Sequence, residues 1–424
     1  VVLNSINGRA RRVAPIWVRV ALVSCALVAA SAARAEPLTY TQALALARSD
    51  APGVRAGALG VAAAEASVEA AGRLPDPRLS FGLDGFPVSG PAAGRLDGIE
   101  MTNVQVGLQQ EVPSRARRRA ERRIAEADIG VARAREDITL WDVQVATGQA
   151  WIDLYYAERR LAEMDDVLTA LDPLWETAPS GVASGASRPA QSLGPVELRA
   201  ALDDRRDGLR VDLVRARAEL SRWTGDPMPG VTGSPPSIDL EPGVFDVDLD
   251  RLPTLRAYGA VQDRADADLD LARAARRPDW SFEAGYARRD PMFGDLVSVG
   301  ASVSLPLFQG SRQAPVIAAR AADARRVSAE REAVEREWAA TLKGDLAEYE
   351  VARSRWIRAR DVVLPNLRTR ADLETASYGA GRAGIMEVLD AFTALANGRL
   401  DALDKEADVA RRAVRFTLIY GNDQ

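Results

Sequence analysis

No histidine occurs anywhere in this chain, and its one cysteine, Cys25, lies in an N-terminal segment that reads as an export signal. Imidazole bases, His-dependent triads and the usual zinc sites are therefore excluded, and disulfides with them. Met101, Met164, Met228, Met292 and Met386 are scattered without metal-ligand spacing, so neither a metal site nor a cofactor is expected. What remains is charge. Asp372, Glu374, Glu387 and Asp390 flank a glycine-rich turn, Tyr378 to Gly384. On most helices such acids are solvated or paired with arginine. The turn is no nucleotide loop, since it lacks a preceding strand and the P-loop lysine. Arg115, Arg117, Arg118, Arg119, Arg122 and Arg123 crowd the start of a long helix directly after a strand. Arginines so placed suit anionic lipid headgroups, and equally a solvated helix face.

The elements that must position these residues occur twice. Arg73-Leu74-Pro75-Asp76 answers Arg276-Arg277-Pro278-Asp279, and Val104-Gln105-Val106-Gly107 answers Val297-Ser298-Val299-Gly300. Pro113 answers Pro306, Pro173 answers Pro365, and Trp223-Thr224-Gly225 answers Ile419-Tyr420-Gly421. Each repeat reads as helix, hairpin, very long helix, turn and return helix, a duplicated half-molecule. The predicted division is an export signal over 1–35, a first repeat over 36–225, a proline-rich linker over 226–252 and a second repeat over 253–424.

Four segments alternate in steps of two. Leu79, Phe81 and Leu83 oppose Ser80, Gly82 and Asp84; Val104, Val106 and Leu108 oppose Gln105, Gly107 and Gln109. Trp280, Phe282, Ala284 and Tyr286 oppose Ser281, Glu283 and Gly285; Val297, Val299, Ala301, Val303 and Leu305 oppose Ser298, Gly300, Ser302 and Ser304. Strands of about ten residues with one apolar and one wet face fit a tilted crossing of a bilayer. Four such strands cannot close a barrel, and an open edge in lipid is prohibitively costly, so closure demands other copies of the chain.

The helices read as coiled coils. Ile124, Ala127, Val131, Ala134, Ile138, Trp141, Val145, Gly148, Ile152 and Tyr155 keep three-four spacing, and Leu154, Ala157, Leu161, Met164, Leu168, Leu171 and Trp175 continue on a shifted face. The spacing predicts a helix from Ser114 to about Asp172, roughly 90 Å long. Its counterpart is expected from Gln313 to about Leu364, with turns at Tyr378–Gly384 and at Pro179–Pro195. Prolines 75 and 278 read as helix stops.

Arg9, Arg11, Arg12 and Arg19, then the apolar stretch Val20 to Ala32, then Ala33-Arg34-Ala35 before Glu36, have the pattern of a cleaved secretory signal. Leu22-Val23-Ser24-Cys25 also fits a lipobox, which would make Cys25 a lipidated N-terminus; the apolar stretch continuing past it favours cleavage at the later site. The net charge of −5, with no basic cluster interleaved with aromatics, argues against a nucleic-acid partner.

The order of parts resembles the TolC-like outer-membrane efflux factors over essentially the whole mature chain, most closely the branch serving heavy-metal and cation efflux pumps. The matching residues are Gly72-Arg73-Leu74-Pro75-Asp76-Pro77, Val106-Gly107-Leu108-Gln109-Gln110-Glu111-Val112-Pro113, and the turn from Tyr378 to Leu389. The family's Gly-Lys-Arg after the strand-closing proline is replaced by Ser114-Arg115-Ala116-Arg117-Arg118. The resemblance implies a mainly α chain with a small β part: a homotrimer with a twelve-stranded outer-membrane barrel above a helical periplasmic tunnel. It implies a passive duct, not an enzyme, whose partners are a periplasmic membrane-fusion adaptor, an inner-membrane RND-type pump and outer-membrane lipid. Channels of this kind narrow at the helical tips, which makes Asp372, Glu374, Glu387 and Asp390 candidates for a cation-favouring pore entrance. A soluble periplasmic coiled-coil scaffold or adaptor, or an exit duct for drugs or secreted protein, is the competing expectation.

Overall fold

The computed structural model describes residues 36–97, 99–183, 193–240 and 247–421. The segment read as an export signal, with Cys25, residues 184–192 of the expected first turn and residues 241–246 of the expected linker lie outside the described residues.

The elements run α1 (Tyr40–Asp50), α2 (Pro52–Ala70), β1 (Arg78–Asp84), β2 (Asn103–Val112), α3 (Arg115–Ala183) and α4 (Leu193–Thr224) in the first half. The second half runs α5 (Pro253–Ala274), β3 (Trp280–Arg288), β4 (Leu296–Val303), α6 (Gln313–Arg358), α7 (Leu364–Gly379) and α8 (Ile385–Tyr420). Pro52 and Pro253 open their helices at the first turn, where the missing N–H costs nothing. α2 ends at Ala70 and α5 at Ala274, each short of the proline read as its stop. At the α2–β1 corner Gly72 has a φ of +69° and sits against the Arg118 carbonyl, a close approach that any Cβ would block.

Both long helices outrun their sequence boundaries. α3 continues through Pro173 to Ala183. Packing on both sides of the proline explains this: Met164, Val167 and Leu171 are buried against Leu202, Ala396 and Leu400, with Trp175 joining beyond it. The second rod does not stop at Leu364. It passes through a π-turn, Ala359–Val363, into α7 and on to Gly379. The widened turn lies where the ring of Pro365 would strike the carbonyl of residue 361 in a regular helix, and so absorbs the proline without ending the rod. At 69 residues α3 is about 100 Å long, and the second rod nearly matches it.

Helices α2 and α4 pack mainly on α3, whereas α5 and α8 pack extensively on α3 and on the second rod as well, so the second half bridges the two rods. The predicted seams are the packed faces. Trp151, Ile152, Leu154 and Tyr156 are buried against Ala43, Leu220, Ala407, Ala410 and Val414, and Trp141 meets Phe416, Ile419 and Tyr420. Small seam residues bring backbones close: Gly148 lies under Val414, Leu418 and the Tyr40 hydroxyl. Ion pairs staple α8 to α3, among them Arg399–Glu163 at 2.9 Å, Arg160–Asp404 at 2.7 Å and Arg411–Asp153 at 3.2 Å. Burial pushes the Asp153 carboxyl up, and Arg411 and Arg160 pull it back.

The linker works as a strap. Leu38 and Val231 form a parallel bridge, the Trp151 indole N–H donates to the Leu38 carbonyl at 2.9 Å, and Ile238 and Leu240 lie over Ala413 and Val409 of α8. The Tyr349 hydroxyl of α6 donates to the Ile238 carbonyl at 2.9 Å and accepts from the Leu240 N–H at 3.2 Å. The segment before α1, α8 and α6 are thus tied at one level.

Candidate functional site

One four-stranded antiparallel sheet, ordered β1-β2-β3-β4, stands at the end of the rods. Its strands are 7, 10, 9 and 8 residues long, slightly shorter than expected, and β4 ends at Val303 instead of Leu305. The register gathers the apolar residues of all four strands on one face: Phe81 pairs with Val106, Val106 with Tyr286, and Tyr286 with Val297. Nothing among the described residues covers this face. Phe81 is 75% and Val299 83% exposed, and Trp280 stacks on Phe282 in the open. Among the described residues no strand pairs with the far edges of the outer strands β1 and β4. A soluble protein would hide such a face and cap such edges.

The opposite face carries Ser80, Gly82, Asp84, Gln105, Gly107, Gln109, Ser281, Glu283, Gly285, Ser298, Gly300 and Ser302. Its side chains are small, and space is tight. A Cβ on Gly107 would lie 2.7 Å from Ser80 Oγ, and one on Gly285 2.7 Å from Ser298 Oγ. Arg78 and Glu111, at the root of the face, form an ion pair at 3.3 Å.

Below the sheet the six arginines divide. Arg117 donates to Asp279 Oδ2 at 3.0 Å and to Glu121 at 3.0 Å, while Asp279 Oδ1 accepts from the Ser114 N–H at 2.6 Å. The hydrogen bond to Asp279 holds the Arg117 guanidinium above its ordinary value, against the opposing pull of burial. Arg123 pairs with Asp270 at 2.6 Å. These two thus clamp the first half to the second. Arg115, Arg119 and Arg122 are exposed and have no acidic partner among the described residues. Arg118 is half-buried, and its Nε has no hydrogen-bond partner. The sequence shows the cluster but not its partition, because Asp270 and Asp279 lie more than a hundred positions away.

At the other end α7 turns into α8 through Ala380–Gly384, with Gly381 at a φ of +68° and the Gly381 N–H on the Tyr378 carbonyl at 2.9 Å. Asp372, Glu387 and Asp390 are exposed, Glu374 is half-buried, and none forms an ion pair among the described residues. Glu387 folds back over the start of α8, where a Cβ on Gly384 would lie 2.7 Å from its Oε2. The positive helix end favours a carboxylate there. Gly194, in the first turn of α4, makes room for the Met386 sulfur, so the two return helices begin side by side.

Among the described residues no group of histidine, cysteine, aspartate or glutamate is arranged to hold a metal ion, and no helix is long and apolar enough to cross a membrane. Neither statement bears on a barrel.

Residues 246–422 match the family described as Outer membrane efflux protein. No curated protein sequence matches the chain at a significant level. Among solved structures, a membrane protein from Pseudomonas aeruginosa is 17% identical with a TM-score of 0.74, covering 90% of this chain and 93% of its own. CusC, whose crystal structures concern folding and transmembrane channel formation, is 15% identical with a TM-score of 0.72 over 90% of this chain and 92% of its own. The outer membrane protein VceC from Vibrio cholerae is 14% identical with a TM-score of 0.70 over 90% of this chain and 96% of its own. The mainly α chain with a small antiparallel β part expected from the sequence is therefore the chain fold observed.

Proposed function

We propose, from the premise that this chain is a TolC-like outer-membrane efflux protein, that it is the outer-membrane duct of a tripartite efflux assembly. Three copies close their sheets into one twelve-stranded barrel, and the paired rods of each copy line a tunnel reaching into the periplasm. The duct conducts passively, receiving cargo from an inner-membrane RND-type pump through a periplasmic adaptor. One observation carries this reading: a sheet whose apolar face is bare from β1 to β4 and whose two edges are open. Lipid satisfies the face, and only neighbouring copies satisfy the edges. The decisive experiment is purification of the mature chain in detergent from outer-membrane fractions, with its mass measured by light scattering. A trimer that opens pores in planar bilayers is expected; a soluble monomer would sink the reading.

The cargo is proposed to be metal cations, in keeping with the branch that the sequence resembles. A deletion strain should then lose tolerance to a divalent or monovalent metal salt before it loses tolerance to hydrophobic drugs.

Two residue sets belong to this reading. Arg115, Arg119 and Arg122, without acidic partners among the described residues, are proposed to meet anionic headgroups at the periplasmic face of the membrane. Replacing all three by glutamate is expected to cost about 1 kcal/mol per lost contact and to reduce membrane-inserted protein in a fractionation assay. Equal insertion would assign them to a solvated helix face. Asp372, Glu374, Glu387 and Asp390 are proposed to line the periplasmic entrance. Neutralising Glu387 and Asp390 together should lower cation preference in planar bilayers; unchanged conductance and selectivity would remove the tip from the account.

A further inference from the structure

The polar face of the sheet holds a charge imbalance that the tip does not explain. Of its acidic residues, Glu111 is neutralised by Arg78 at 3.3 Å. Asp84 stands at the loop end of β1, where its Oδ1 accepts from the Gly85 N–H at 3.0 Å. Glu283 stands alone: it is exposed, it has no ion pair among the described residues, and its cross-strand neighbours are Gln109 and Gly300. No unpaired base shares this face, since Arg288 falls on the apolar side of β3 by alternation. The space around Glu283 is cleared for it. A Cβ on Gly300 would lie 2.5 Å from Glu283 Oε1, so the carboxylate lies across bare backbone.

We propose that Glu283 is a selectivity determinant in the barrel wall, separate from the helical tip, and that it favours cationic over anionic cargo. The proposal rests on the duct reading, in which the polar face lines the lumen and each assembly carries three copies of Glu283. A twelve-stranded barrel with ordinary strand spacing and tilt has a backbone radius of about 12 Å. Carboxylates projecting inward from such a wall influence the axis where the Debye length is comparable, about 10 Å at 0.1 M salt, and lose that influence near 1 M, where it is about 3 Å. Glu283 belongs to the fourth position of β3, roughly 10 Å above the periplasmic start of that strand. It therefore acts below the loops, where an ion is already committed to the bore.

The test is the reversal potential of single pores in a KCl gradient at low ionic strength. The wild-type trimer is expected to prefer potassium. E283Q should lower the cation-to-anion permeability ratio by about twofold or more, because it removes one of the two unpaired charges that each copy contributes. E283K should shift the potential toward anion preference, and in about 1 M salt all three pores should converge. A heat-sensitive trimer band on gels confirms assembly of each variant. The conservative amide at an exposed position should not disturb assembly. A ratio unchanged in E283Q and E283K, with trimers present, overturns the inference and leaves the duct intact. A wild-type chain that opens no pore overturns the duct reading itself, and the inference with it.

Discussion

Val106→Arg is expected to abolish stable insertion of the sheet while leaving the helical rods folded. Val106 lies in mid-strand on the apolar face, paired with Phe81 on one side and Tyr286 on the other. An arginine facing lipid near the bilayer midplane costs about 2–4 kcal/mol. A trimeric barrel takes that cost three times, a total comparable with the whole stability of an ordinary domain, about 5–15 kcal/mol. The neighbouring Gln105 faces the other way, so Gln105→Arg is the internal control and should insert. Outer-membrane fractionation with gels run unheated measures both variants. If V106R inserts and conducts as the parent does, the apolar face does not meet lipid, and the barrel reading falls.

Trp151→Ala is expected to cost about 3–5 kcal/mol, the usual penalty for emptying a large buried aromatic site. The side chain is 0% exposed, stacks on Tyr155 at 5.4 Å and meets the edge of Tyr40 at 5.7 Å. Its indole N–H also holds the Leu38 carbonyl, and Leu38 bridges to Val231. The loss should therefore appear in two places: a lower thermal midpoint of the helical circular-dichroism signal, and faster proteolysis of the chain between residues 36 and 40. Trp151→Phe keeps the packing and removes the donor, so about 1–3 kcal/mol is expected, with the same protease sensitivity in milder form. Were W151A to melt with the parent and resist protease equally, the strap would not depend on this contact.

Much of this architecture is legible in the chain, and what is legible shares a cause. Strand alternation and three-four helix spacing are local periodicities, so Phe81, Val106, Tyr286 and Val297 declare a common face before any pairing is known. The tight turn at Tyr378–Gly384 is local too. Proline context misleads because it too is local: the helix ends expected at about Asp172 and Leu364 fall just before Pro173 and Pro365, but buried packing carries one rod past its proline and a π-turn carries the other. Partner choice over long separations leaves no periodic mark. Tyr349 holding the linker, Arg117 and Arg123 tied to the second half, and Arg78 neutralising Glu111 could not be read from spacing. Glu283 falls between these cases. Its face is plain from alternation, but its isolation emerges only when every neighbour has been placed.

The glycines on the polar face have a consequence for throughput. Gly82, Gly107, Gly285 and Gly300 stand where a Cβ would meet a neighbouring side chain at 2.5 to 3.0 Å. Little therefore projects from the middle of this wall except Glu283 and a few glutamines. In a closed barrel the calibre would then be set by the number of strands and hardly at all by what hangs from them. Plumbing of that sort is indifferent to the bulk of what flows through it, as long as the load is narrower than the bore. It can bias traffic by sign, but any sieving by size must happen upstream.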